Sequence, residues 1–313
     1  MSLLTIPVLP PVGDAAAGER AETAQAYCRA LEDGCILVVP HAGLDWTADE
    51  QAALLHHEAA TGPHKNIAYR LADDRIIGVG RRAAPDVVRL RGALRSYAQQ
   101  VTALLARLLV PYGRRWRVDY TSFRPQEEAG RSLPWRARND LLHIDAFPSR
   151  PTNGDRILRM FTNVHPTRPR CWVTAEPFDE LVRRFVEAPG APLALSRRPS
   201  AWQWVRRRLA PHARGVLAPI LRRSPYDAFM LRLHDHLKAD AQFQATATRH
   251  TWEFPPGSSW IVFTDFVPHA ALSGQGALEQ TYFVPRSALL QPEKAPASIL
   301  ERLCGAALTD ATP

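Results

Sequence analysis

Two candidate metal ligands two residues apart, His143 and Asp145, with a third, His269, far downstream, constrain this chain more than its composition does. In an extended strand successive side chains alternate faces, so His143 and Asp145 point the same way and can close on one ion. A second histidine completes a 2-His-1-carboxylate facial triad, which leaves coordination positions open on Fe(II) for a cosubstrate and oxygen. A His-X-Asp pair alone is a weak signal, because a histidine at a strand end is commonly just hydrogen-bonded. Its surroundings give it weight. Turn residues at 151–154 lead into a strand-like run at 157–164, and His269 sits between the apolar run 260–264 and another at 280–284.

The segment 142–164, with His143-Ile144-Asp145, Phe147-Pro148, Asn153-Gly154 and Arg159, resembles the signature of the Kdo hydroxylases. The likeness extends from about Trp116 to Val284, and more weakly into the N-terminal third, which carries no motif of its own. A looser likeness to phytanoyl-CoA hydroxylases, in the His-X-Asp then Phe-Pro pattern, bears on the fold alone. The resemblance implies an α+β protein with a double-stranded β-helix (jelly-roll) core flanked by helices. It implies Fe(II) and 2-oxoglutarate as cofactors, O2 as cosubstrate and ascorbate as a compatible reductant. The implied reaction hydroxylates carbon 3 of the Kdo sugar of Kdo-lipid A to give Ko, in the inner core of lipopolysaccharide. His143, Asp145 and His269 are then the iron ligands and the catalytic centre.

In many such enzymes an arginine after the distal histidine holds the far carboxylate of 2-oxoglutarate, but this chain has Glu279-Gln280-Thr281 there. Arg159 is the first choice to replace it, since a mid-strand arginine is costly unless paired and a guanidinium grips a carboxylate bidentately. Arg156, three residues earlier, falls on the opposite face. Arg124 and Gln126, at the end of the alternating run 116–123, and Thr162 complete the expected cofactor-binding set, with Arg286 in reserve. Arg150, Thr152 and Asn153 are the expected substrate-binding residues, against a plain reading of 148–153 as a turn.

A chain of 313 residues with a net charge of +8 calls for an acidic partner, either nucleic acid or an anionic membrane. It has no helix-turn-helix or zinc-finger pattern, so nucleic acid is not expected. The segment 196–223 mixes Trp202, Trp204, Leu217 and Ile220 with Arg206, Arg207, Arg208, Arg222 and Arg223, which suits the headgroup layer of an anionic membrane. Residues 1–13 do not read as a signal peptide, and no apolar run is long enough to span a bilayer. The expected location is the cytoplasm, peripheral on the cytoplasmic face of the inner membrane. Cys28, Cys35, Cys171 and Cys304 show no zinc or redox spacing and are expected as free thiols.

The expected organisation is a helical N-terminal elaboration over 1–115, a catalytic core over 116–290 with a basic amphipathic insertion at about 196–240, and a loosely attached tail over 291–313. Helices are predicted at 15–31, from the Thr47–Glu50 capping box through about residue 60, at 86–109 and at 178–186, with strands at 35–39 and 171–174. Two other functions fit the same motifs: a 2-oxoglutarate oxygenase acting on another lipid or small molecule, and a non-catalytic β-helix binding protein.

Overall fold

The structure, a computed structural model, describes residues 3–5, 17–56, 66–79, 84–113, 115–188, 193, 221 and 223–310. The strands are β1 (Leu3–Thr5), β2 (Ile36–Val39), β3 (Ile67–Arg70), β4 (Arg75–Ile77), β5 (Arg117–Arg124), β6 (Arg156–Asn163), β7 (Arg170–Thr174), β8 (His250–Phe254), β9 (Ser259–Phe263), β10 (His269–Ser273) and β11 (Ala277–Val284). The helices are α1 (Ala17–Glu32), α2 (Ala48–His56), α3 (Ala84–Leu108), α4 (Phe178–Val182), α5 (Pro225–Ala239), α6 (Ala241–Thr246) and α7 (Pro296–Cys304). A larger sheet runs β1-β2-β9-β6-β11-β5-β3-β4 and a smaller one β10-β7-β8. Every pairing is antiparallel except β1 with β2. This is a double-stranded β-helix flanked by helices.

Strands β6, β9 and β11 are buried at every residue, which is why they read as continuous runs and not as polar alternation. One face of the larger sheet is covered by α3, whose buried Leu90, Leu94, Tyr97, Val101, Leu104, Leu105 and Leu108 form one helical stripe. The Tyr97 hydroxyl meets Thr162 Oγ1 at 3.1 Å on that face. The other face, carrying Arg159 and Phe161, looks onto β7 and β10 across a cavity.

Several expectations change. The N-terminal part is not only helical: β2 pairs with β9 and β3 with β5, so it widens the larger sheet on both sides. The His-X-Asp segment is not a strand but a single bridge, because His143 N donates to His269 O while Asp145 N donates to Thr264 O, and donors sent to two segments build no ladder. The predicted helix 178–186 is α4 followed by one wider turn, closed by Ala188 N donating to Arg183 O at 3.0 Å. The tail is not loose: Ala297, Leu300 and Cys304 of α7 are buried, and Glu32 accepts from the backbone N–H groups of Leu290 and Gln291 at 3.0 and 2.6 Å.

The capping box is formed, with Thr47 N donating to Glu50 at 2.9 Å and Glu50 N donating to Thr47 Oγ1 at 3.2 Å; residues 57–60 of that predicted helix lie outside the described residues. So does nearly all of the basic segment 196–223, of which only Leu221, Arg223 and Ser224 beyond it are described. The last part of the expected insertion is not a surface element, since Tyr226, Phe229, Met230, Leu233 and Leu237 bury one face of α5 in the core. All four cysteines are free thiols, and burial pushes the Cys28 thiol up to about 12.

Candidate active site

His143 and His269 are joined backbone to backbone, His143 N donating to His269 O at 3.1 Å and His269 N to His143 O at 2.9 Å. Their rings stand 4.8 Å apart, centroid to centroid. Nδ1 of His143 lies 2.7 Å from Leu141 O, and Nδ1 of His269 lies 3.0 Å from Val267 O. A carbonyl can only accept, so each Nδ1 carries the proton and each Nε2 keeps its lone pair. Burial, with the neighbouring His269 and His234, holds His143 well below its ordinary pKa; burial also lowers that of His269. Neutral imidazole is the form that binds a metal.

Asp145 supplies the third group: its coordinating atom and those of the two histidines all lie within 4.8 Å of one another, and all three residues are buried. Its other oxygen accepts from Arg159 Nη1 at 2.6 Å. Burial alone would raise the Asp145 carboxyl, but the Arg159 guanidinium holds it well below the usual carboxylate range. A neutral pair of histidines and an ionised carboxylate is the donor set of a divalent non-heme iron site.

The triad opens into a cavity of about 270 Å³ whose wall includes Arg124, Arg159, Arg170, Trp172 and Glu279. Glu279 stands opposite Ser122 on one neighbouring strand and Phe161 on the other, and so reaches guanidinium groups on both. It pairs with Arg159 and accepts from Arg124 at 2.9 Å. Burial would raise the Glu279 carboxyl; Arg124 and Arg159 bring it below its ordinary value. Arg170 donates to Gly274 O at 2.8 Å and to Glu128 at 3.2 Å, and burial lowers its pKa. Three buried N–H groups on these cavity residues, Arg159 Nε, Arg170 Nε and Trp172 Nε1, lack an acceptor among the described residues. Buried donors are rarely left unpaired, so the cavity suits a ligand rich in acceptor oxygens.

Arg150 also lines the cavity, paired with Asp119 and lying over the Phe147 ring at 4.1 Å. The remaining sequence-predicted residues do not. Thr162 faces α3, as the pleat requires of a residue three places from Arg159. Gln126 accepts from Arg131 at 2.6 Å and is not on the cavity wall. The N–H groups of Thr152 and Asn153 donate to Asp227 at 2.7 and 3.2 Å, and Asn153 holds a positive φ of 53°, so both build the turn. Arg286 is bound to Glu301 at 2.6 Å and Thr309 at 2.9 Å, away from the metal triad. Sequence reasoning missed Arg170 and Trp172, although their spacing on a recognised strand puts both on one face, and Trp172 stacks on His269 at 5.1 Å. It also missed His234 and Lys238 of α5, which lie on the cavity wall.

The profile of the 3-deoxy-D-manno-oct-2-ulosonic acid (Kdo) hydroxylases matches residues 14–307. The chain belongs to the Kdo hydroxylase family. Its structure is similar to that of the Kdo hydroxylase KdoO, a non-heme Fe(II) alphaketoglutarate-dependent dioxygenase, in complex with cobalt(II). The TM-score is 0.83 at 32% identity, over 99% of this chain and 98% of that one. A KdoO complex with alphaketoglutarate and Fe(III) also gives 0.83 at 32% identity, over 100% and 99%. A third, with succinate and Fe(III), gives 0.82 at 33% over 99% and 98%. No curated protein matches the chain. In this Kdo hydroxylase the triad and the arginine wall therefore sit in a fold shared over the whole chain.

Proposed function

We propose that the protein is an Fe(II)- and 2-oxoglutarate-dependent dioxygenase that hydroxylates carbon 3 of the Kdo sugar in Kdo-lipid A, at the cytoplasmic face of the inner membrane. The observation that carries this reading is one buried cavity in which His143, Asp145 and His269 converge beside N–H donors that lack an acceptor. The triad fits iron, and the guanidinium wall fits a dicarboxylate. Iron(II) and 2-oxoglutarate, when bound, supply the oxidising chemistry: O2 is consumed, 2-oxoglutarate leaves as succinate and CO2, and one oxygen atom enters a C–H bond of the sugar.

The chain's own residues place these partners. His143 and His269 present fixed Nε2 lone pairs, and Arg159 orients Asp145 by occupying the oxygen turned from the histidines. Arg159, flanked by Arg124 and Arg170, receives the far carboxylate of 2-oxoglutarate, with Glu279 holding the guanidinium groups until it arrives. Trp172 covers the outer face of His269 and keeps water from it. Arg150 reaches the sugar from the end of the metal-binding segment.

Among the described residues no helix is long and apolar enough to cross a membrane, so a lipid substrate is met from the surface. Arg223, the end of the basic segment, donates to Pro148 O at 3.0 Å, three residues past Asp145. That contact, close in sequence to the metal ligand Asp145, supports a role for the basic residues in holding the enzyme to lipid phosphates.

With Fe(II), 2-oxoglutarate and Kdo-lipid A, the purified protein should release succinate in step with the gain of one oxygen on the sugar. Succinate release stimulated equally by lipid A lacking Kdo would sink the substrate assignment. Reversing the charge of Arg206, Arg207 and Arg208 should weaken binding to vesicles containing phosphatidylglycerol while 2-oxoglutarate consumption without substrate persists; unchanged vesicle binding would remove the membrane role.

A further inference from the structure

Six cationic side chains line the cavity, and five of them already face a carboxylate: Arg124, Arg136, Arg150, Arg159 and Arg170. The sixth is Lys238, in the last turn of α5. Its Nζ donates to Arg136 O at 2.8 Å, and among the described residues it has no ion-pair partner. A lysine near a helix C-terminus is favoured by the helix dipole, but such a lysine ordinarily keeps its ammonium in water. Lys238 is only 5% exposed. An ammonium group offers three donors, and a buried cation is costly until an opposite charge joins it.

Its place relative to the metal is set by the helix. His234, one turn earlier on the same face, meets the His143 ring edge-on at 5.1 Å and bonds through Nδ1 to Ile144 O at 2.6 Å. This face of α5 therefore lies along the metal-binding segment. The arginines that suit 2-oxoglutarate stand instead on β5, β6 and β7.

We infer that Lys238 is the receptor for the carboxylate of the sugar acid, a specificity-determining residue separate from the arginine wall that serves the cofactor. This rests on the functional reading above. In a 3-deoxy-ulosonic acid the carboxylate is carbon 1, two bonds from carbon 3. A cation that grips it inside this cavity therefore also fixes which carbon faces the metal. Burial pushes the Lys238 ammonium down to about 8, against the pull of Asp145, Asp235 and Asp140, while Arg124 lowers it further. The facing His143 and His234 are held below their ordinary values, mainly by burial, and add no positive charge.

The test is calorimetry on the Co(II)-loaded protein with 2-oxoglutarate present, titrated with the methyl glycoside of Kdo and, separately, with its methyl ester. Lys238→Met should weaken the acid by about tenfold or more, the scale of one charge-assisted hydrogen bond. It should leave the ester unchanged and alter 2-oxoglutarate affinity by less than about twofold. Equal binding of the acid by variant and wild type overturns the assignment. So does a loss that falls on 2-oxoglutarate, which would make Lys238 part of the cofactor site. Lys238→Arg, which keeps the charge, supplies the second arm. Wild-type affinity for the acid should fall between about pH 7 and about pH 9 as the ammonium deprotonates, and the arginine variant should lose that step. A wild-type profile that is flat over this range overturns the proposal even if Lys238→Met does not fold. If the wild-type protein binds no Kdo glycoside at all, the functional reading fails, and the role of Lys238 with it.

Discussion

At the scale of the residue, Arg159 meets more carboxylates than the one the sequence suggested. A mid-strand arginine marks a carboxylate to be paired, and the sequence reading gave it one, the far carboxylate of 2-oxoglutarate. The structure adds Asp145 and Glu279 to the same guanidinium. Removing it should therefore disturb the metal as well as the cofactor. Arg159→Ala is expected to lower Co(II) affinity by about 10–100-fold, the usual cost of losing a partner that orients a metal ligand. Arg124→Ala, which touches Glu279 and Glu128 but not Asp145, should raise the 2-oxoglutarate requirement with Co(II) affinity unchanged. Co(II) titrations on both variants check this, and an Arg159→Ala protein that binds cobalt normally would show that Asp145 does not need its arginine.

At the scale of the element, α5 links the turn after the metal-binding segment to the cavity wall. Its first turn holds Asp227, which accepts from Ser224 N at 2.9 Å and from the N–H groups of Thr152 and Asn153. Asp227→Ala removes one half of the capping box with Ser224 and strands buried donors, for an expected loss of about 2–4 kcal/mol in urea unfolding. An intact stability would mean that water replaces the carboxylate. Much of this architecture was legible in the sequence because periodicity reports burial: α3 shows through its stripe from Leu90 to Leu108, and β6 and β11 through continuous runs. The triad was legible because the His-X-Asp pair, weak alone, stood with a distant histidine set between two strand-like runs. What stayed hidden depended on contacts between elements. Thr152 and Asn153 look like substrate ligands until Asp227, far along the chain, takes their N–H groups. Thr162 is a different case, since the alternation that excluded Arg156 also excluded it. Lys238 was lost because the whole region to residue 240 read as a basic surface, although Phe229, Leu233 and Leu237 mark a buried helical face.

At the scale of the molecule, the chain's end is part of the fold. Ala297, Leu300 and Cys304 are buried, Glu301 holds Arg286, and Asn153 exchanges hydrogen bonds with Asp310. Deleting 291–313 should cost roughly 5 kcal/mol or more from lost apolar burial alone, read as a large drop in the midpoint of thermal unfolding. A truncated protein that melts with the full chain would restore the picture of a loose tail. The bridge between His143 and His269 also acts at this scale, because it joins two distant parts of the chain by backbone hydrogen bonds that no ion has to make. Two imidazoles and a carboxylate are a donor set that several first-row divalent ions accept. Intrinsic affinities then rank Co(II) and Ni(II) above Fe(II). Mismetallation is thus built into the scaffold: trace cobalt or nickel should displace iron and silence the enzyme, and the resident metal will follow the cell's supply.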